Sequence, residues 1–221
     1  MFRFDERLLV LLVGCLVFLP ATARGQEMYR PLPEPRPAAL PPSNVLPQNP
    51  MLDLTRSHDF SVARVSSHCR RGGPRDNWYI PTTGEEVTIA DLKGPGAITH
   101  IWTTHRWTGH ELIVRIYWEG NEHPSVEAPI GDFFGVAMGV NALVNSVPIQ
   151  VTSEGRSRNC WWNMPFNKSA RVTVQAADCE ENRKRDTVPL YFYIDYQVYP
   201  KPIPDIHYFH ARFIETDVPE R

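Results

Sequence analysis

Cysteine, net charge and helical periodicity are all in short supply in this sequence. The 221 residues hold four cysteines. Cys15, Cys69, Cys160 and Cys179 form neither a CxxC pair nor any zinc-binding spacing, which excludes a thiolate metal site and a disulfide-dense scaffold. Lysine and arginine number 23 against 25 aspartate and glutamate, a net charge of −2, so a basic protein that coats nucleic acid is excluded. No GxSxG, no HExxH and no phosphate-cradling glycine loop occurs. Gly94-Pro95-Gly96 reads as a turn between strands. What the chain does have is aromatics, at 11%, and 21 prolines. That aromatic content excludes an acidic disordered chain.

The amino terminus reads as an address. Arg3 and Arg7 precede the apolar run Leu8–Pro20, which falls short of the roughly 20 residues a membrane-spanning helix needs. Ala21-Thr22-Ala23 follows, the small-x-small pattern of signal-peptide cleavage. Residues 1–23 are therefore expected to be a secretory signal and the protein secreted or periplasmic. Leu12-Val13-Gly14-Cys15 mimics a lipoprotein box, but cutting there would leave Leu16-Val17-Phe18-Leu19 on the mature end. Lipidation at Cys15 is the minor alternative. The three later cysteines allow one disulfide in an oxidising compartment, with one thiol left over. Buried free thiols are the expectation.

Residues 24–50 contain eight prolines. Proline fixes φ and removes a backbone donor, so an extended linker is expected there. The alternative is a ligand for a proline-reading domain. From about Phe60 the pattern changes to short alternating runs. Leu112, Val114, Ile116 and Trp118 would share one strand face, and Ile113, Arg115, Tyr117 and Glu119 the other. Phe192, Ile194, Tyr196 and Val198 oppose Tyr191, Tyr193, Asp195 and Gln197 likewise. Glu86–Leu92, Ala97–Thr104, Ile149–Ser153, Arg158–Asn163, Arg171–Ala176 and Ile206–Ile214 also read as strands. Turn signals at Gly72-Gly73-Pro74, Thr83-Gly84, Glu119-Gly120-Asn121 and Glu154-Gly155 separate them. Ala137–Asn145 is the one expected short helix. The pattern predicts an all-β fold over residues 51–221, a jelly-roll-like sandwich of antiparallel strands.

The chemistry these residues support is narrow. His100, His105 and His110 recur every five residues, but solvated or hydrogen-bonded histidines are a better reading than a metal site. His207 and His210 would point to opposite faces of a strand. No cofactor is expected. Trp102, Trp107, Trp118, Trp161 and Trp162 lie near polar turns carrying Asp76, Glu119, Glu122, Glu127 and Asp132. Aromatic rings stack on the apolar faces of sugars, and carboxylates accept hydroxyl hydrogen bonds or do acid–base work. A glycosidase needs two carboxyls about 5–5.5 Å apart to retain configuration, or about 6.5–9.5 Å to invert it. Trp102 and Trp118 alternate within strands and read as core. Trp78 and Trp107 sit in polar turns and read as surface.

Five runs, taken in order, carry a resemblance. They are Ser66-Ser67 with Gly72-Gly73 and Asp76; Asp91 to Trp102; Gly131-Asp132-Phe133-Phe134-Gly135; Asn159 to Phe166 with Lys168 to Arg171; and Tyr208-Phe209-His210-Ala211. Together they resemble glycoside hydrolase family 172, also catalogued as uncharacterised domain family 2961. The resemblance runs from about Asp59 to Phe213. It implies jelly rolls, usually two per subunit, joined into trimers or hexamers. It implies a retaining mechanism with two glutamates, acting on α-D-fructofuranosyl and D-arabinofuranosyl linkages. The family's catalytic glutamates lie downstream of the Tyr-Phe-His-Ala run, and this chain ends eleven residues after His210. Glu215 and Glu220 lack the family's motif, so no catalytic residue is assigned, and the chain is expected to be the first roll, inactive alone. Cys69 and Pro74 stand where members often carry aspartate and asparagine, and Asn163 where proline is common. By motif position, Asp76, Asn77, Trp78, Trp107 and Asp132 are the candidate furanoside contacts. Asp76 and Asp132 could equally serve their own turns. Trp161 and Trp162 are candidate interface residues, because adjacent strand positions face opposite ways. Two functions remain: an exported furanosidase-like protein, or a non-catalytic module that binds carbohydrate or assembles. No nucleic-acid partner, and no membrane association after signal cleavage, is expected.

Overall fold

Alternating burial along the strands builds two sheets that close on one core. The computed structural model describes residues 57–69 and 76–215. The expected signal, the proline-rich linker, the Gly72-Gly73-Pro74 turn and Glu220 lie outside the described residues. Thirteen strands are assigned among those described: β1 Ser61–Ser66, β2 Trp78–Pro81, β3 Glu86–Lys93, β4 Gly96–Thr104, β5 Leu112–Trp118, β6 Val126–Pro129, β7 Val144–Asn145, β8 Ile149–Thr152, β9 Ser157–Cys160, β10 Met164–Phe166, β11 Ser169–Ala176, β12 Thr187–Val198 and β13 Ala211–Arg212. One short helix, α1, spans Ile130–Phe133.

The larger sheet runs β1-β12-β4-β9-β8-β7. In it β2 extends β12 beside β1, and β10 extends β4 beside β9. The smaller sheet runs β13-β6-β5-β11-β3. All pairs are antiparallel except β13 with β6, which are parallel. The fold is thus the expected β-sandwich, with one parallel pair that the sequence did not announce.

The core lies between the sheets. Val188, Leu190, Phe192 and Ile194 of β12 meet Leu112, Val114, Ile116 and Trp118 of β5 within one buried cluster. Period-two alternation explains both sets, since every second side chain points to one face. Trp118 is 1% exposed and stacks on Phe166 with the rings 6.3 Å apart and 11° from parallel. At one end α1 supplies Ile130 and Phe133 to the core. There the Gly131 amide donates to the Gly109 carbonyl at 3.0 Å. A Cβ on Gly109 would stand 2.1 Å from the Gly131 Cα, so only glycine permits that approach.

Three expectations are corrected. Ala137–Asn145 is not a helix: Met138 and Gly139 have φ of 65° and 61°, a left-handed pair that ends any right-handed turn. The segment Ile206–Ile214 is mostly not a strand, and only Ala211–Arg212 pairs. Within it, Trp118 Nε1 donates to the Phe209 carbonyl at 2.8 Å. Just before it, the Asn167 amide bonds both the Ile203 carbonyl, at 3.0 Å, and the Ile203 N–H, at 2.7 Å. Among the described residues Cys69, Cys160 and Cys179 are free, but only Cys160 is buried; Cys69 and Cys179 are half-buried.

Candidate functional site

The outward face of the larger sheet is neither apolar nor simply charged. Strand register places its side chains in rows that cross the strands. Ser66 of β1 lies opposite Tyr193 of β12, which lies opposite Trp102 of β4, then Asn159 of β9, then Gln150 of β8. Two residues along, Arg64 faces Asp195, and Asp195 faces His100. Trp161 comes one step after the last registered pair, Ile101 with Cys160, and stacks on His100. Two residues the other way, Tyr191 faces Thr104, Thr104 faces Ser157, and Ser157 faces Thr152. The face is therefore a grid of hydroxyls, amides and flat rings, because residues i and i+2 of each strand point the same way.

Its contacts are specific. The Arg64 guanidinium bonds both Asp195 oxygens, Nη2 at 2.9 Å from Oδ2, and lies 4.6 Å from the Tyr193 ring centre. His100 Nδ1 is 2.9 Å from Asp195 Oδ2, and its Nε2 is 3.2 Å from Asn159 Oδ1. Burial pushes the Asp195 carboxyl up, but the hydrogen bonds and charges of Arg64 and His100 outweigh it and hold the group below the usual carboxylate range. Trp102 stacks on Tyr193 at 4.5 Å and 25° and donates from Nε1 to Ser157 Oγ at 2.9 Å. Trp161 lies on His100 at 5.3 Å and 12°.

A cavity of about 320 Å³ opens on this face. Arg64, Trp102, Tyr191 and Tyr193 line it, with Ser66, Ser67, His68 and Asp76 from β1 and its loop. Asp76 Oδ1 accepts the Cys69 N–H at 3.1 Å and lies 3.4 Å from His68 Nδ1. Asp76 thus holds its own loop and also lines the cavity. Asn77 follows with a buried amide nitrogen that has no partner.

The other predicted residues fall elsewhere. Trp78 turns its edge to Phe192, centres 5.3 Å apart. Trp107 lies under the Arg185 guanidinium at 4.0 Å, at the end of the sandwich. Asp132 is there too, with Oδ2 2.8 Å from His110 Nε2 but not aligned as a hydrogen bond. Trp162 packs on Phe209 of its own chain at 5.6 Å, whereas Trp161 is 46% exposed. Trp102, expected in the core, is on the outward face instead; its strand carries Ile101 and Thr103 inward. The sequence reading missed Arg64, Asp195, Asn159 and the site role of Trp102. The alternation that put Tyr191, Tyr193 and Asp195 on one face was the signal, and Arg64 in Ser61–Ser66 was its partner.

Several carboxylates already have partners. On the outer face of the smaller sheet, Arg115 Nε donates to Glu127 at 2.6 Å, and Tyr117 donates to Glu86 at 2.8 Å. Glu119 accepts the Asn167 and Lys168 amides at 2.6 and 2.8 Å. Among the described residues, every displaced carboxyl pKa, that of Glu86, Glu111, Asp178 and Asp195, is displaced downward. A glycosidase acid needs the opposite displacement. Among the described residues, no group of three or more His, Cys, Asp or Glu gathers as a metal site.

The class this fold and face define is a two-sheet β-sandwich module with a polar, aromatic sheet face. A family model described as the GH172 first beta-sandwich domain matches residues 58–217. The chain belongs to that glycoside hydrolase family, through this domain. No curated protein sequence matches it.

Proposed function

We propose that the outward face of the larger sheet binds a furanoside, an α-D-fructofuranosyl or D-arabinofuranosyl unit, in an exported protein that forms homo-oligomers. The reading rests on the cavity that the stacked Trp102 and Tyr193 rings line together with Arg64, Asp76 and Tyr191. A sugar's C–H groups pack against such rings, and its hydroxyls meet the arginine, carboxylate and phenol. Asp195 is preorganised as a hydrogen-bond acceptor, not as an acid: the Arg64 guanidinium and the hydrogen bond with His100 hold its carboxyl below the ordinary range. We read the face as a recognition surface, with bond cleavage depending on carboxyls other than those described in this domain.

The test is calorimetric titration of the purified chain with methyl α-D-arabinofuranoside and methyl α-D-fructofuranoside, wild type against Trp102→Ala. Binding by wild type that the variant loses supports the reading. Equal binding by both proteins contradicts it. Incubation with an aryl α-D-arabinofuranoside separates the two functions. Turnover that survives removal of the downstream tail but falls on changing Asp195 would make this face catalytic.

A further inference from the structure

The grid is wider than a single sugar. Neighbouring strands lie roughly 4.8 Å apart, and a two-residue step along a strand is about 7 Å. Tyr193, on one side of β4, and Trp161, on the other, are separated by two strands and one such step, roughly 12 Å. A five-membered ring is only a few bonds of about 1.5 Å across. A furanose seated over Tyr193, in the cavity that Arg64, Asp76 and Tyr191 line and Trp161 does not, therefore does not also reach Trp161.

Trp161 is nevertheless built as a contact. It is 46% exposed, and one indole face is backed by His100 nearly in parallel, which leaves the other face outward. The backing ring cannot turn freely, since Asp195 holds one nitrogen and Asn159 the other. The Trp161 amide is fixed to the Pro148 carbonyl at 2.9 Å. Such a platform loses little freedom on binding. Polar groups lie beside it along the sheet: Asn159, two residues earlier, and Gln150, which is exposed and directly opposite Asn159. Between the two ring stacks the register places Asn159 and no aliphatic side chain. That alternation of ring and hydrogen-bonding group suits a hydroxylated chain better than an apolar protein surface, which would need a contiguous apolar patch.

We infer that Trp161 is a second sugar-binding position, so that the larger sheet takes a furanosyl oligosaccharide laid across β12, β4 and β9 rather than a lone terminal sugar. This rests on the furanoside reading and deepens it. The experiment is titration of the full chain with methyl α-D-arabinofuranoside and with a linear arabinofuranosyl tetrasaccharide, for wild type, Trp161→Ala and Trp161→Phe.

Wild type is expected to bind the tetrasaccharide roughly tenfold more tightly, the ratio that about 1.4 kcal/mol of added contact gives. Trp161→Ala should lose that gain and keep its affinity for the single sugar. Trp161→Phe should keep most of the gain. Equal affinity of wild type for the two ligands, or equal weakening of both by Trp161→Ala, overturns the inference while the furanoside reading stands. No binding of either ligand overturns both. Sedimentation of wild type and Trp161→Ala completes the test. A self-association abolished by the substitution would mean that a second copy covers Trp161, and would also overturn the inference.

Discussion

Arg158 donates from Nη1 to Nδ1 of His105 at 3.2 Å, inside the end of the sandwich where the guanidinium is 0% exposed. The His105 tautomer follows from its other nitrogen. Nε2 is 2.6 Å from the Thr108 carbonyl, so it carries the proton and Nδ1 is left to accept. Arg158 also reaches the carbonyls of Arg156 and Trp107, which ties β9 to the loop that follows β4. Burial lowers its pKa to about 10, and the nearby Glu111 charge works the other way.

Arg158→Met should therefore be costly. Removing the guanidinium leaves His105 Nδ1 and the Arg156 and Trp107 carbonyls without their donor at the end of the sandwich, a loss of about 1–3 kcal/mol. Adding Glu111→Gln should recover part of it, because the nearby Glu111 charge then no longer stands without a cation. Urea unfolding of the single and double variants measures both. Equal midpoints for wild type and Arg158→Met would show that the guanidinium carries no such role.

Glu111 sets an acid limit. Burial pushes its carboxyl up, but the nearby His105 ring, its own backbone N–H and the Thr108 hydroxyl outweigh that and hold it below its ordinary value. A carboxyl depressed in the folded state contributes stability above its unfolded pKa, about 4.3, and loses it as pH falls through the lower folded value. Glu111→Gln should flatten the drop in melting temperature below about pH 4.3. The measurement is calorimetry from neutral pH downward. An unchanged acid slope would put the loss on other groups.

Much of the fold was legible because alternation is a local signal. Leu112–Trp118 and Phe192–Ile194 announced their inward faces before any contact was known. The segment after Ile206 was not legible in that way. Its apolar residues alternate, yet its Phe209 carbonyl is taken by Trp118, which lies far away in sequence. The site was half legible. Tyr191, Tyr193 and Asp195 were placed on one face, but their neighbours Arg64, Trp102 and Asn159 come from three other strands, and only register joins them. Trp102 was misread because its strand has apolar residues on both faces; the polar partner Ser157 that draws it outward is 55 residues away.

Asn167→Ala tests the side-chain clamp on the segment before β13. Two hydrogen bonds to Ile203 disappear, a loss of about 1–3 kcal/mol at ordinary net values. Amide exchange at Ile203 should quicken while the β12 amides stay protected. Slow exchange at Ile203 in the variant would mean that Trp118 alone holds the segment.

The thiols should divide by burial. Burial pushes the Cys160 thiol up to about 12, which leaves almost no thiolate at pH 8. Cys69 and Cys179, half-buried, should react with a thiol reagent in the folded protein, and Cys160 only after denaturant is added. Modification of Cys160 at the native rate of the other two would contradict the packing around β9.

The most direct measurement is an NMR titration of the tryptophan indole N–H signals with a furanosyl oligosaccharide. Trp102 and Trp161 line the sheet face, whereas Trp118 is locked in the core to Phe209 and Trp107 sits under Arg185. The account predicts that the Trp102 and Trp161 signals move together with ligand while those of Trp118 and Trp107 stay still. Movement confined to Trp107, or no movement at saturating sugar, would contradict it.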